Sequence, residues 1–508
     1  MIQSILEKRL VQAVHEVIPE APIDKIKIRP CANPQFGDFQ TNALMALAKK
    51  AGQNPRSLAE NVKQRLQVDD LCSNVTIAGA GFLNFFLSNS YIKKQLNEAL
   101  AGDHLFTEMT SDPMTVVLDF SSPNVAKSMH IGHIRSTILG DCLARVFRFL
   151  GHRVITDNHI GDWGTQFGML LHGWKNELNE SDLEKKPIEE LERIYKLINS
   201  KAEDDPEFRA ICKDELVKLQ SGDPENLKIW KKMIAISQRQ FDEIYKRLDV
   251  TFDHTLGESA YNNYLQNAVD ELREQNIASE SQGATLVFFE DNKELKGSPA
   301  MIQKGDGGFN YATTDLATIL YRLNEFNPDL IIYVTDDRQQ LHFKQIFEIF
   351  KRWKGQVGTR LEHVWFGKIL GEDGKPFKTR SGGTVKLADL LDEAERRALK
   401  VAQEKSPNME PKIQSEVARK IGIGATKYAD LLPNRNTDYK FSWDKMLALQ
   451  GNTAVYLMYA YTRFNSIIRK ADDYSADKVT FESLCEDAEI SLAKKLLSFG
   501  FILNTVAD

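Results

Sequence analysis

The chain of 508 residues lacks the features that mark disulfide-rich, fibrous and disordered proteins. It has only five cysteines, which are far apart and form no CxxC pair: Cys31, Cys72, Cys142, Cys212 and Cys485. This spacing excludes a disulfide framework and a zinc finger, so we expect reduced cysteines in a cytosolic protein. Glycine (30 residues) and proline (16 residues) are not enriched, which excludes a collagen-like or wholly disordered chain.

The N-terminus also lacks an apolar run that would suit a signal peptide or a membrane span. It begins with MIQSILEKRLVQAVHEVIPE, in which charged residues interrupt an amphipathic helix. We therefore expect a cytoplasmic protein without a membrane partner. The net charge of −6 does not exclude nucleic acid, because the excess of acidic residues lies in 109–390 and the two flanking segments are close to neutral.

Three segments with different patterns divide the chain. Residues 1–108 combine helical runs with an alternating, aromatic stretch at 75–88, which predicts a small α+β domain. Residues 391–508 have helical patterns throughout, which predicts an all-α C-terminal domain. Between them, 109–390 alternates short apolar runs with helical patterns, and its charged interval of about 175–300 predicts an inserted helical subdomain.

The middle segment has the pattern of a doubly wound parallel sheet of the Rossmann type. The apolar run MTVVLDF (114–120) predicts a strand buried on both faces, followed by a helix that ends at Gly151 and a second strand at 153–157. Strand, helix and strand in this order form a βαβ unit with a right-handed crossover. The same alternation returns in 313–367, so we predict an α/β fold with one parallel sheet interrupted by the insertion.

The stretch SSPNVAKSMHIGHIRSTILGD (121–141) carries the clearest chemical signal. It places His130 and His133 at the turn between the first buried strand and the following helix, with Gly132 between them and Lys127 upstream. The N-terminus of a helix attracts phosphate through its unpaired N–H groups and its partial positive charge. Imidazoles and an ammonium group at this turn indicate a site for nucleotide phosphates.

Residue types alone leave two other interpretations of these histidines open. One is a turn of structural histidines in a core or on a surface. The other is a zinc site, because five of the ten histidines lie between residues 130 and 172, although no HExxH motif or Cys/His set completes a tetrahedral site. The position at the carboxyl edge of the first strand favours phosphate, and we predict no tightly bound metal.

The same stretch resembles the class I aminoacyl-tRNA synthetases, whose signature HIGH stands here at residues 130–133. Its neighbours SSPNVAK, HIRST and NHIGDWGTQFG (158–168) are similar to those of the arginyl-tRNA synthetase family. Further matching segments extend the resemblance over the whole chain: QFGDFQTN (35–42), AGAGFLNF (78–85), GES (257–259), YATTDLA (311–317), DRQQLHF (337–343) and NTAVYLMYAYTR (452–463).

The resemblance implies which residues bind the small substrates. It assigns catalysis and ATP binding to His130, Gly132, His133 and Lys127, with magnesium entering together with ATP. It assigns the arginine pocket to Asn124, Glu258, Tyr311, Asp315 and Gln339. Carboxylate and amide oxygens in such a pocket suit the five N–H donors of a guanidinium group.

The second class I signature, KMSKS, is incomplete in this chain. By position, PFKTRSG (376–382) takes its place, so Thr379 stands where the family pattern has its second lysine. That lysine neutralises the departing pyrophosphate. The charge would instead come from Lys127, or from Lys378 and Arg380 within PFKTRSG. We therefore count Lys378 and Arg380 among the ATP-binding residues.

The resemblance also implies contacts with tRNA. The N-terminal domain would contact the tRNA elbow and the C-terminal domain the anticodon, with Tyr456, Tyr459 and Arg463 as contacts, because aromatic rings interleaved with arginine suit single-stranded bases. At helical spacing, some of these aromatic residues would instead belong to a core. The chain stops at FILNTVAD, where the family continues through several more helices, so we expect an incomplete anticodon-binding domain.

The expected function is the ATP-dependent ligation of L-arginine to its tRNA by a monomer that activates arginine only when tRNA is bound. Arginyl-adenylate and pyrophosphate would form first, and the arginyl group would then pass to a ribose hydroxyl of the terminal adenosine. Two alternatives belong to other classes: a nucleotidyltransferase that uses the HxGH loop on a small molecule, and a non-catalytic RNA-binding paralogue. The insertion and flanking domains count against the first, and the intact HIGH motif counts against the second.

Overall fold

A computed structural model describes residues 2–22, 25–102, 104, 107–305, 307–355, 357–371, 373–375, 385–471 and 480–507. Contacts within the chain divide it into two compact units. The first unit comprises Met1–Ser111, Phe149–Gly151 and Ala471–Asp508, and the second comprises Asp112–Arg148 and His152–Lys470.

The first unit begins with an α+β arrangement. Its elements are α1 (Ile2–Val17), β1 (Arg29–Pro30), β2 (Phe39–Thr41), α2 (Ala43–Ala51), α3 (Pro55–Lys63), β3 (Cys72–Ala78), β4 (Phe82–Leu87) and α4 (Asn89–Ala101). The strands form an antiparallel sheet in the order β1-β2-β4-β3. Leu6 and Leu10 of α1, Leu58 of α3 and Phe85 of β4 are fully buried in one core, so the predicted α+β domain is confirmed.

The second unit contains the main sheet and most of the helices. Its first half holds β5 (Thr115–Phe120), α5 (Ile131–Phe149), β6 (Arg153–Ile160), α6 (Thr165–Glu177), α7 (Glu180–Lys185), α8 (Pro187–Asp204), α9 (Pro206–Gln220), α10 (Pro224–Leu248), β7 (His254–Gly257) and α11 (Asn262–Glu274). Its second half holds β8 (Ser279–Ser281), β9 (Ala284–Val287), β10 (Ala300–Gln303), α12 (Tyr311–Phe326), β11 (Leu330–Val334), α13 (Gln340–Lys354), β12 (Arg360–His363), β13 (Ile369–Leu370), α14 (Leu387–Lys405), α15 (Pro411–Leu431), β14 (Tyr439–Lys440), α16 (Trp443–Met446) and α17 (Ala454–Lys470).

The main sheet has five parallel strands in the order β12-β11-β5-β6-β7. All five residues of β11 and five of the six residues of β5 are buried, as expected for strands covered on both faces. The chain leaves β5 toward β6 on one side and later returns to β11 on the other. The carboxyl ends of β5 and β11 therefore form the topological switch point, where ligands bind in doubly wound sheets.

The helical insertion starts its helices with a repeated local signal. Pro187, Pro206 and Pro224 are the first residues of α8, α9 and α10. Asp205 and Asp223 cap the last two by accepting backbone hydrogen bonds from the first turn. Proline suits the first helical position because its fixed φ fits the helix and its missing N–H would have no partner there.

Three short strand regions were not predicted from the sequence. β7 lies inside the interval expected to be helical, yet it is the fifth strand of the main sheet. The strands β8, β9 and β10 form a separate antiparallel sheet in the same interval. In the C-terminal region expected to be all helical, Tyr439–Lys440 pairs in parallel with Ile369–Leu370. Strands of two to four residues are too short for a periodic pattern to reveal.

The last helix, α18 (Asp487–Ala507), belongs to the first unit. Ala493 is buried, and Ile490 and Leu497 pack against the same core as α1 and β4. By length and composition alone this helix is also apolar enough to cross a membrane, with a mean hydropathy of 1.3 over its best window.

Candidate functional site

The loop after β5 has an unusual backbone that side chains hold in place. Ser121, Ser122 and Ala126 have φ values of 74°, 48° and 61°, which residues other than glycine rarely adopt. The backbone N–H of Ser121 donates to Ser136 Oγ at 2.8 Å, and that of Ser122 donates to Asn158 Oδ1 at 3.1 Å. These bonds fix the path of the chain toward the HIGH motif.

A buried cluster of charges joins the neighbouring strands β5 and β6. The guanidinium of Arg322, from α12, donates to Asp119 Oδ2 at 2.7 Å and to Asp157 Oδ2 at 2.7 Å. All three side chains are almost completely buried. Asp119 also accepts a hydrogen bond from Ser122 Oγ at 3.1 Å, so the cluster ties α12 to both strands and to the loop.

The two HIGH histidines face each other with defined proton positions. Their ring centroids are 4.0 Å apart. The backbone N–H of Gly132 donates to Nδ1 of His130, and the backbone N–H of His130 donates to Nδ1 of His133, both at 3.0 Å. Because both Nδ1 atoms accept hydrogen bonds, each neutral ring carries its proton on Nε2, where it can be donated to a ligand.

Burial keeps both imidazoles neutral at physiological pH. It lowers the pKa of His133 to about 3, with a smaller contribution from the neighbouring His130. Burial also lowers the pKa of His130, and the positive charge of Arg338 lowers it further. Both histidines can therefore serve as neutral hydrogen-bond donors.

The packing of His130 gives a reason for the glycine between the histidines. A Cβ atom at position 132 would lie 2.8 Å from Cε1 of His130 and 2.9 Å from its Nδ1. The missing side chain of Gly132 makes room for the His130 ring.

The HIGH helix is tied to the C-terminal helices by a buried ion pair. Arg135 of α5 pairs with Asp430 of α15 at 3.2 Å, and both side chains are about 1% exposed. Arg135 also donates to the backbone oxygen of Gly367 at 2.7 Å. One guanidinium thus fixes α5, α15 and the segment that leads to β13.

Glu258 lies in an acidic environment at the end of β7. Asp162 accepts hydrogen bonds from the backbone N–H and the hydroxyl of Ser259, at 2.9 and 2.6 Å, and so fixes the turn that carries Glu258. Burial raises the pKa of Glu258 to about 7, and the negative charges of Asp162 and Asp315 contribute to the rise. The nearby His159 opposes this rise, and a further cation beside the carboxyl group would stabilise its ionised form.

The other predicted arginine-binding residues lie on separate elements, and Asp315 is close enough to Glu258 to raise its pKa. Asp315, on the first turns of α12, is hydrogen-bonded to Nε2 of His342 from α13. Tyr311 begins the same helix four residues earlier and is 75% exposed, and Gln339 lies just before α13. Asn124 packs against Gly161, where a Cβ atom would lie 2.2 Å from its Oδ1.

Other predicted residues are placed as follows. Lys378, Arg380 and Thr379, in the segment that replaces KMSKS, lie outside the described residues. Tyr456 and Tyr459 on α17 are 47% and 53% exposed, so neither belongs to a core. Arg463 donates to the hydroxyl of Tyr459 at 3.0 Å, which leaves aromatic and cationic groups together on an exposed face.

Sequence reasoning missed several residues of the site. Asp162 and His342 hold Glu258 and Asp315, and Arg338 lies close enough to His130 to influence its charge. Asp162 stands in NHIGDWG, and Arg338 and His342 stand in DRQQLHF, so the matching segments contained them without revealing their contacts. Within the described ranges, no three His, Cys, Asp or Glu side chains form a group that could hold a metal.

Comparison with known proteins places this site in a family. The model of the class I (R) tRNA synthetase catalytic domain matches residues 95–443. The models of the arginyl-tRNA synthetase N-terminal domain and of the DALR anticodon-binding domain match residues 4–87 and 457–508.

Whole-length relatives agree with these matches. The arginine–tRNA ligases of Citrobacter koseri and Escherichia coli K12 are each 45% identical to the chain, over 100% of its length and 88% of theirs. The crystal structure of arginyl-tRNA synthetase from Plasmodium falciparum has a TM-score of 0.84 at 30% identity, covering 100% of this chain and 88% of that one. The Thermus thermophilus arginyl-tRNA synthetase, at 22% identity, has a TM-score of 0.79 with the same coverage and shares the fold.

The parallel sheet, the HIGH helix at its switch point and the matching catalytic domain define a class I aminoacyl-tRNA synthetase. Within that class, the family models and the whole-length relatives narrow the assignment. The chain belongs to the arginyl-tRNA synthetase family.

Proposed function

We infer that this chain ligates L-arginine to tRNA in two steps, and that the residues described above carry out the first. The substrate carboxylate is ionised at neutral pH and attacks the α-phosphate of ATP directly. The bond between the α- and β-phosphates breaks, and pyrophosphate leaves. Because the nucleophile is already charged, the protein has to position the substrates and stabilise charge on the phosphates, without a general base.

We propose that His130 and His133 donate their Nε2 protons to ATP. Neutral imidazoles with fixed tautomers support this role, because they offer directed donors without needing protonation at working pH. Lys127 adds a positive charge next to them, and Lys378 and Arg380 would add charge from the segment that replaces KMSKS. Magnesium enters with ATP as part of the substrate.

We propose that Glu258 and Asp315 bind the guanidinium of arginine, with Asn124, Tyr311 and Gln339 completing the pocket. The single observation that supports this most strongly is the raised pKa of the half-buried Glu258 carboxyl group, whose ionised form a bound cation would stabilise. Two acidic groups match the charge and the fork of N–H donors of a guanidinium, and a pocket built in this way rejects ligands that leave the acceptors unpaired.

We propose that the second step transfers the arginyl group to a ribose hydroxyl of the terminal adenosine of tRNA. Residues 1–108 would contact the tRNA elbow, 109–390 would carry out the chemistry and 391–508 would contact the anticodon through Tyr456, Tyr459 and Arg463. The exposed rings on α17 support this role. We further propose that the protein acts as a cytoplasmic monomer.

Aminoacylation of tRNA that accepts arginine tests the proposal. Purified protein with ATP and magnesium should charge the tRNA with arginine and not with lysine or citrulline. Equal charging of lysine would contradict the assigned pocket. ATP hydrolysis or nucleotidyl transfer without charged tRNA would favour a nucleotidyltransferase instead.

A further inference from the structure

The helical insertion contacts three consecutive residues just before the HIGH motif. Ser237 Oγ, on α10, accepts a hydrogen bond from the backbone N–H of Ala126 at 2.9 Å. Glu192 Oε1, on α8, accepts one from the backbone N–H of Ser128 at 2.7 Å. Between these two bonds, the ammonium of Lys127 lies 4.9 Å from the centroid of the Tyr195 ring.

These contacts hold a backbone conformation that is unfavourable for alanine. Ala126 has a φ of 61°, in the left-handed region that alanine disfavours. The residue before Lys127 and the residue after it are both hydrogen-bonded to the insertion. The direction in which Lys127 leaves the chain is therefore set by α8 and α10.

The same face of α8 is also linked to His130, through Lys386. Glu189, Glu192 and Tyr195 are three residues apart and so lie along one helix face. Glu189 pairs with Lys386 at 3.2 Å. Lys386 stands opposite His130 in a short antiparallel bridge, which is flanked by a 3.0 Å hydrogen bond from the Ile131 N–H to the Val385 oxygen.

The partner of the Lys127 ammonium is an aromatic ring, which does not neutralise its positive charge. No carboxylate in the described part of the chain lies within 4 Å of the Lys127 ammonium. A carboxylate partner would neutralise the lysine and compete with a phosphate. The face of an aromatic ring attracts the cation, confines it and leaves its N–H donors available.

We propose that the insertion orients Lys127 toward the phosphates of ATP, and that Tyr195 is the positioning residue that holds its ammonium. This inference rests on the proposed role of Lys127 in ATP binding. Tyr195 itself touches no substrate and acts through the lysine. The ring, and not the hydroxyl group, carries the effect.

A comparison of Tyr195→Phe with Tyr195→Leu tests the inference. Arginine-dependent exchange of pyrophosphate into ATP is measured with the full-length chain and tRNA. We expect Tyr195→Leu to lower kcat/KM for ATP by about three- to thirtyfold, the range of a cation–π contact of ordinary strength. KM for arginine should not change. Tyr195→Phe should restore the wild-type value, and Lys196→Met, on the exposed side of α8, is the matched control.

A double-mutant cycle separates positioning from general structure. In a Lys127→Met background, Tyr195→Leu should cause no further loss, because the contact is already gone. The same loss in both backgrounds, or a Tyr195→Leu enzyme with the wild-type kcat/KM for ATP, would overturn the inference. A wild-type chain without arginine-dependent exchange would instead count against the proposed function.

A second pair of variants covers the case in which Tyr195→Leu does not fold. Glu192→Gln keeps an oxygen that can accept the Ser128 N–H, and Glu192→Ala removes it. Thermal melting establishes that both variants are folded. The inference requires a selective loss of kcat/KM for ATP in Glu192→Ala and near-normal activity in Glu192→Gln, and it fails if the two behave alike.

Discussion

Replacing Glu258 with glutamine should stabilise the ligand-free protein and weaken arginine binding at the same time. Burial raises the pKa of Glu258 to about 7 from its ordinary value of 4.5. The folded state therefore holds this proton more tightly than the unfolded state. As the pH rises from about 4.5 to about 7, ionisation of Glu258 costs stability, and above pH 7 the cost is complete.

The size of the effect follows from the shift in pKa. This shift in pKa lowers the free energy of unfolding above pH 7 by about 3 kcal/mol at most, at about 1.4 kcal/mol for each pKa unit. Glutamine has nearly the same shape and carries no charge. We expect Glu258→Gln to raise the melting temperature at pH 8 and to leave it almost unchanged near pH 4.5.

Arginine binding should respond in the opposite direction. A guanidinium favours the ionised carboxylate, so wild-type affinity should rise as the pH increases through about 7, and binding at pH 6.5 should release a proton. Glu258→Gln should remove this pH dependence and weaken binding by about ten- to a hundredfold at pH 8, the loss of a hydrogen bond to a charged group.

Two measurements on the same samples test this reasoning. Melting curves at pH 4.5 and pH 8 report stability, and calorimetric titration of arginine in the presence of tRNA, in buffers of different ionisation enthalpy, reports affinity and proton release. Glu274→Gln, an exposed position on α11, is the control. A Glu258→Gln protein that melts no higher at pH 8 and binds arginine like the wild type would refute the account.

The remaining predictions concern ATP and stability. His133→Ala should slow pyrophosphate exchange by about 10²–10³-fold, because one phosphate donor is lost; normal turnover would remove His133 from the site. Asp430→Ala should lower the free energy of unfolding in urea by about 3–5 kcal/mol, since it leaves the buried Arg135 charge unpaired, and a loss below about 1 kcal/mol would contradict this. Against the opposing effect of burial, hydrogen bonds from Lys175 and Lys218 hold the pKa of Glu215 at about 2. The stabilising contribution of Glu215 should therefore disappear as the pH falls from about 4.5 to about 2. In acid unfolding, Glu215→Gln should show a flatter dependence on pH in that interval, and an unchanged slope would argue against the contribution.

Long, strongly patterned elements could be predicted from the sequence. The run MTVVLDF predicted β5, and the apolar face that follows it predicted α5, because a buried strand and an amphipathic helix each impose a pattern on many residues. Strands of two to four residues, such as β7 and β14, impose no pattern. Their place in a sheet depends on neighbours that are far away in the sequence.

The sequence named candidate residues for the site, but it could not predict their contacts. The HIGH motif and the matching segments pointed to His130, His133 and Glu258. The tautomers of the histidines, the partner of Asp315 and the ring above Lys127 depend on packing between elements that are tens of residues apart. No local pattern in the sequence encodes such distances.

Arginine-dependent exchange of pyrophosphate into ATP, with magnesium and with or without tRNA, tests the central claim most directly. If the chain is an arginine–tRNA ligase with the site described above, exchange should require arginine and should appear when tRNA is present. Absence of exchange under both conditions, with ATP binding intact, would contradict the account.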